Sequence, residues 1–342
     1  MKELKFAVFG AGFWSNFQIA GWQELPGLQL IALCDPNMEK CQQLAKKYNV
    51  PKTYTDPKDL LAHEDLDFVD IITEVNNHFE LTLLAAGHGL DIVCQKPMAP
   101  SLEQCLTMVQ TCQKQGVKFF VNENFRWQAP IRKVKSIMEK GVIGTPFKAR
   151  VSFCSAFPVF DNQPFLKQLD YFILTDIGSH VLDICRFLFG EADRLFCLTK
   201  RVNPDIQGED VANVLMEMKN GVHCYAEMSY ASRLEREVFP QTLILIEGVN
   251  GSIELAADFT IKVTTMQGTV QEIVEPTFYD WINPEYAVVH SSIVDTQADI
   301  LNGLRGGVSE TTGEDNYQTS KLIWASYWSA ENNRAVELEH FE

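Results

Sequence analysis

Over its first 125 residues the chain alternates short β-rich runs with helix-like segments, and that alternation constrains the fold more than any other feature. Lys5–Phe9, Leu28–Cys34, Phe68–Ile72, Asp91–Cys94 and Lys118–Val121 read as strands. Between them the helical pattern covers Trp14–Glu24, Glu39–Tyr48, His78–Gly87 and Leu102–Lys114. Such βαβ units give a parallel sheet, because each crossover must return the chain in the same direction. After Asn122 the texture changes: helical patterns cover Ile131–Lys140 and Tyr171–Phe189, with a strand at Phe147–Phe153 between them. From Arg194 to Val274 the chain is nearly all strand, punctuated by the tight-turn pairs Asn220-Gly221 and Asn250-Gly251. The predicted fold class is therefore α/β, a Rossmann-type doubly wound domain followed by an α+β domain with a large, open, mostly antiparallel sheet. The boundary falls between 125 and 126, and the C-terminal helical patterns Val289–Leu304 and Asn316–Asn332 are placed back against the first domain.

Composition narrows the range of partners. With 45 acidic against 29 basic side chains the formal charge is −16, which repels phosphate backbones and argues against nucleic acid. No stretch approaches the roughly 20 continuous apolar residues of a membrane span. The N-terminus, Met1 to Lys5, runs directly into a strand, so no leader is expected. Nine cysteines, none spaced C-x-x-C, read as reduced core thiols of a cytoplasmic protein.

The first strand ends in Gly10-Ala11-Gly12-Phe13-Trp14-Ser15, a G-x-G-x-x-S turn. There the first glycine makes the bend, the second lets backbone N–H groups approach a pyrophosphate, and the small third residue lets helix and strand pack closely. Gly10, Gly12, Phe13 and Trp14 are the candidate contacts within the turn. Asp35 ends the second strand, twenty residues past Ser15, where it can accept from ribose hydroxyls and would repel a 2′-phosphate. Pro36 and Asn37 follow without an arginine, so the expected cofactor is NAD.

A second group is Asp176, His180 and Asp183, spaced to share one face of a helical run. An imidazole flanked by a carboxylate suits general acid–base work near neutral pH, and a helix cap beside a buried histidine is the plainer alternative. A third metal ligand is lacking, so no metal is expected. Lys96, in Gln95-Lys96-Pro97, sits at the carboxyl end of a strand, where doubly wound sheets bind ligands.

Taken in order, these motifs resemble the Gfo/Idh/MocA oxidoreductases, which include inositol and glucose–fructose oxidoreductases. The matching residues are Gly10-Ala11-Gly12, Asp35, Thr73 through His78, Gln95-Lys96-Pro97 and Asp176-x-x-x-His180-x-x-Asp183. The resemblance implies hydride transfer between nicotinamide and a sugar or polyol, with Lys96, Asp176 and His180 catalytic. It implies Thr73, His78, Gln95 and Lys96 at the cofactor, a cis Lys96–Pro97 bond, and a dimer or tetramer through the second-domain sheet. Asn124, Arg126 and Asp183 are then candidates for the substrate. The family's glutamate is Gln95 here, and Glu74-Val75 stands where Pro-Asn is usual. Gln95-Lys96-Pro97 with Asn122 through Gln128 is similar to the branch that includes apiose-type aldose dehydrogenases. Two other uses of such a chain stay open: an NAD-dependent glycosidase working through transient redox, and a non-catalytic NAD- or sugar-binding regulator.

Overall fold

The computed structural model describes residues 3–341; Met1 and Lys2, which enter the leaderless reading of the N-terminus, lie outside the described residues, as does Glu342. The chain forms two compact units, residues 1–124 with 293–320 and residues 125–292 with 321–342.

In the first unit the elements run β1 (Leu4–Phe9), α1 (Ser15–Gln23), β2 (Leu28–Cys34), α2 (Met38–Tyr48), β3 (Lys52–Tyr54), α3 (Pro57–His63), β4 (Phe68–Ile71), α4 (His78–Gly87), β5 (Asp91–Gln95), α5 (Leu102–Gln115) and β6 (Phe119–Asn122). The six strands are parallel, in the order β3-β2-β1-β4-β5-β6. The order reverses between β1 and β4, which opens a ligand crevice beyond their carboxyl ends. Sequence periodicity misses β3 and α3 because three and seven residues are too few to show a repeat.

Local chemistry sets the helix limits. Asn37 and Ser101 cap α2 and α5 by accepting from the N–H groups of Lys40 and Gln104. Gly116 ends α5 in the left-handed conformation. Lys118 Nζ donates to the carbonyls of Gly303 and Leu304 at 2.9 and 2.6 Å, satisfying the last turn of the helix Ala287–Leu304. The ring of Phe6 lies flat on Phe68, centroids 4.8 Å apart, with Trp22 tilted against both. A polar group is buried beside this cluster: Trp22 Nε1 donates to Asp70 Oδ2 at 2.7 Å and Asn122 Nδ2 to Asp70 Oδ1 at 3.3 Å.

The second unit adds α6 (Ala129–Glu139), β7 (Pro146–Cys154), α7 (Val159–Asn162), α8 (Ile173–Asp176) and α9 (Gly178–Phe189). There follow β8 (Ala192–Lys200), β9 (Val211–Met218), β10 (His223–Ser229), β11 (Leu243–Gly248), β12 (Gly251–Ala256), β13 (Thr260–Thr265) and β14 (Gly268–Ile273). With β15 (Val336–Glu337) they make one nine-stranded sheet, antiparallel throughout except where β10 pairs with β7. Alternate residues of β9 are buried, and the inner face carries α9, with Cys185 Sγ 3.5 Å from Cys224 Sγ. The helical pattern expected over Tyr171–Phe189 is in fact two helices. The ladder pauses at Ile177, before helix-poor Gly178, and Ser179 Oγ donates to the carbonyl of Asp176 at 2.9 Å. No helix among the described residues is long and apolar enough to cross a membrane. All nine cysteines are unbridged.

Candidate functional site

The first unit's site is built on the turn after β1. Gly10 stands at φ 107°, and a Cβ there would lie 2.2 Å from the carbonyl oxygen of Ile72, so only glycine fits. A Cβ at Gly12 would meet nothing within 4 Å. The turn is thus closed against β4 on one side and open on the other, where a pyrophosphate can reach main-chain N–H groups at the start of α1. Ser15 is fully buried and donates from Oγ to the carbonyl of Gly10 at 2.9 Å, which fixes the bend. Phe13 is half-exposed and edge-on to Trp14 and Phe17. Its ring borders a cavity of about 400 Å³ that runs along Asn16, Lys40, Gln43 and Lys47.

Asp35 has a second task that its spacing does not reveal. Its Oδ2 accepts from Ala11 N at 2.7 Å and its Oδ1 from Asn37 N at 2.8 Å, so the carboxylate ties the glycine turn to the end of β2. Each oxygen keeps a further lone pair with which it can accept from a ribose hydroxyl. Asp35→Ser with Asn37→Arg should therefore weaken NAD binding by at least about tenfold while narrowing or reversing the preference over NADP. Titration of both cofactors checks this; a wild-type chain binding NADP as tightly as NAD would contradict it.

The carboxyl ends of β4 and β5 are joined through His78. Its ring is buried, with Nδ1 3.0 Å from the carbonyl oxygen of Pro97 and Nε2 3.1 Å from that of Thr73. Burial holds its pKa below the usual imidazole value. One of these two carbonyls accepts from the single N–H of the neutral ring, so His78 ties the end of β4 to the loop after β5. The Lys96–Pro97 bond is cis, and Lys96 N donates to Gln95 Oε1 at 2.8 Å. That bond needs only an oxygen acceptor, so the amide can replace the family's carboxylate without loss of loop geometry. Lys96 is half-buried, and Thr73 lies directly under Gly10.

In the second unit, His180 is buried with its ring flat on Phe125, centroids 3.7 Å apart and planes within 6°. Tyr230 Oη donates to Asp176 Oδ2 at 3.2 Å. The buried ring of Phe153 touches both supports, Phe125 at 6.2 Å and Tyr230 at 6.3 Å. The imidazole and the carboxylate are thus mounted on one aromatic cluster. Arg126 and Asp183 pair with each other. Arg126 Nε donates to Asp183 Oδ2 at 2.7 Å, and Nη2 donates to Oδ1. Both side chains are buried, and the bidentate pair holds the turn Phe125–Trp127 to α9. Asn124 is buried just past β6.

Sequence reasoning missed Glu209. Its buried carboxylate accepts from the N–H groups of Phe172 and Leu174 at 3.3 and 3.2 Å and from Tyr327 Oη at 2.7 Å. It thereby anchors the short helix that ends in Asp176. Among the described residues no group of three or more His, Cys, Asp or Glu is placed to hold a metal ion.

A doubly wound sheet with this turn and acidic strand end defines a dinucleotide-binding protein. The model of the oxidoreductase family with an NAD-binding Rossmann fold matches residues 4–123, and the Gfo/Idh/MocA C-terminal domain matches residues 131–254. The chain is 41% identical over 343 aligned positions to a D-apiose dehydrogenase of Paraburkholderia graminis, covering 100% of this chain and 92% of that protein. It is 39% identical to a D-apiose dehydrogenase of Rhizobium rhizogenes, covering 99% and 98%. A crystal structure of an oxidoreductase from Agrobacterium radiobacter in complex with NAD+, L-tartaric acid and magnesium superposes with a TM-score of 0.97, at 39% identity and 99% coverage of both chains. The chain belongs to the Gfo/Idh/MocA oxidoreductase family and is an NAD-dependent oxidoreductase.

Proposed function

We propose that the protein is a D-apiose dehydrogenase, oxidising a hydroxyl of this branched aldose. What supports the reading most is the joint presence of the Gly10–Asp35 turn and of a buried histidine and a carboxylate held on one aromatic cluster, in a chain 41% identical end to end to a D-apiose dehydrogenase. Gly10, Gly12, Phe13, Trp14 and Asp35 would hold the dinucleotide, with Thr73, Gln95 and Lys96 at the strand ends and His78 bracing them. The bound cofactor supplies the hydride acceptor; the redox chemistry is its own.

The protein's part is positioning and proton transfer. His180, its ring plane set by Phe125, removes the proton of the reacting hydroxyl. Asp176 stabilises the imidazolium that results. Lys96 holds the developing alkoxide, a contribution of several kcal/mol by comparison with about 2.7–4 for a single oxyanion donor. Asn124 is retained as a substrate contact. The outward face of the nine-stranded sheet, where Leu198 and Leu215 are each more than half exposed, would be covered in a homodimer or homotetramer. We place the enzyme in the cytoplasm. Absorbance at 340 nm with NAD and a panel of aldoses and polyols tests the substrate, and D-apiose should give the highest kcat/KM. A glycoside hydrolysed without net NADH would favour the glycosidase reading.

A further inference from the structure

We infer that Tyr230 is a positioning residue for the reaction, fixing through its hydroxyl the carboxylate that orients the catalytic imidazole; this rests on the roles proposed above for Asp176 and His180. Tyr230 follows directly on β10, and its main-chain N–H donates to the carbonyl of Asp210 at 2.9 Å. Its ring is stacked on Phe172, 5.7 Å between centroids and 11° between planes, and edge-on to Phe153 at 78°. A ring held on two sides has almost no freedom about χ1 and χ2, so its hydroxyl has one address, Asp176 Oδ2 at 3.2 Å.

Asp176 needs such a partner because of where it sits. It ends a four-residue helix and precedes the pause at Ile177; Ser179 holds its carbonyl, but the direction of its carboxylate is set by what that side chain meets. Glu209 pins the beginning of that short helix and Tyr230 pins its end. Burial, followed by the neighbouring Asp176 charge, pushes the tyrosine hydroxyl well above its ordinary range, so it remains a donor at any working pH. The second support runs in parallel: Phe153 joins Tyr230 to Phe125, on which His180 lies. The carboxylate and the imidazole stand on different helices, yet their supports share one buried ring.

The test is a double-mutant cycle on the full-length enzyme with NAD and D-apiose, or with the best substrate of the panel. Tyr230→Phe keeps the ring and removes only the donor. It should lower kcat about tenfold, with KM for the sugar and Kd for NAD within about twofold of wild type. Asp176→Asn should lower kcat by more, and adding Tyr230→Phe to it should cost no more than about a further twofold, because the hydroxyl acts through the carboxylate. A full tenfold loss in both backgrounds, or an unchanged kcat in Tyr230→Phe while Asp176→Asn is impaired, would overturn the positioning role alone. An unchanged kcat in Asp176→Asn would overturn the proposed dyad and this inference with it. Should Tyr230→Phe melt more than a few degrees below wild type, the cycle is repeated at a temperature well below that variant's transition, where the folded fractions are equal, and the same loss of kcat is expected.

Discussion

His180→Ala is expected to lower kcat roughly 100- to 10,000-fold, the range for removing a general base, while NAD affinity stays within about twofold of wild type. The separation follows from the structure of each unit. The turn that would hold the dinucleotide is fixed by Ser15, Asp35 and the carbonyl of Ile72, all within the first unit. His180 is fixed by Phe125, within the second. Lys96→Ala should cost about 100- to 1,000-fold in kcat, as for loss of one preorganised donor to an oxyanion. Steady-state kinetics with NAD titrations on each variant check both numbers. A His180→Ala enzyme with near-normal kcat would place the base elsewhere and return His180 to the role of a buried packing residue.

The second large effect is on stability and lies away from the chemistry. Asp70 is fully buried in β4; burial raises it from 3.8 to about 7, against the pull of the donors Trp22 and Asn122. A raised acid keeps its proton in the native chain at pH values where the unfolded chain has lost it. The native state therefore binds more protons between about pH 4 and pH 7. Stability from this group is present below that window and is lost as pH rises through it, by about 1.4 kcal/mol per pH unit and on the order of 4 kcal/mol overall. Asp70→Asn removes the titration. The new amide can still accept from Trp22 Nε1, and the Asn122 amide must flip to present its oxygen to the new N–H. Denaturant unfolding at pH 5 and pH 8 should show wild type losing much more stability than Asp70→Asn across that interval. Identical pH dependence in the two proteins would contradict the buried charge.

The sheet of the first unit is legible in the sequence because it is built from near-continuous apolar runs. Phe68–Ile71 is buried at every position, and Leu28–Cys34 matches β2 residue for residue. The second sheet is legible for another reason, the alternation of β9 and the asparagine–glycine turns at its hairpins. What spacing does not show is which polar residues already have partners. Arg126 and Asp183 are 57 positions apart, each a plausible ligand contact alone, and the fold commits them to each other. Asp35 and His78 are legible as members of the cofactor motif, but their bonds to the turn and to the loop carbonyls depend on how neighbouring strands end. Tyr230 and Glu209 were invisible because their effect reaches Asp176 only through contacts between segments 54 and 35–37 residues apart. In the structure the alternation of β10 stops just before Tyr230, where Met228 and Ser229 are both buried.

NAD-dependent oxidation of D-apiose by this chain can be measured directly. Purified enzyme mixed with NAD and D-apiose should produce NADH in a one-to-one ratio with the oxidised sugar, at a kcat/KM above that for any other aldose or polyol in the panel. NADP in place of NAD should give a much lower rate. No absorbance at 340 nm with any sugar, from an enzyme shown by titration to bind NAD, would contradict the account.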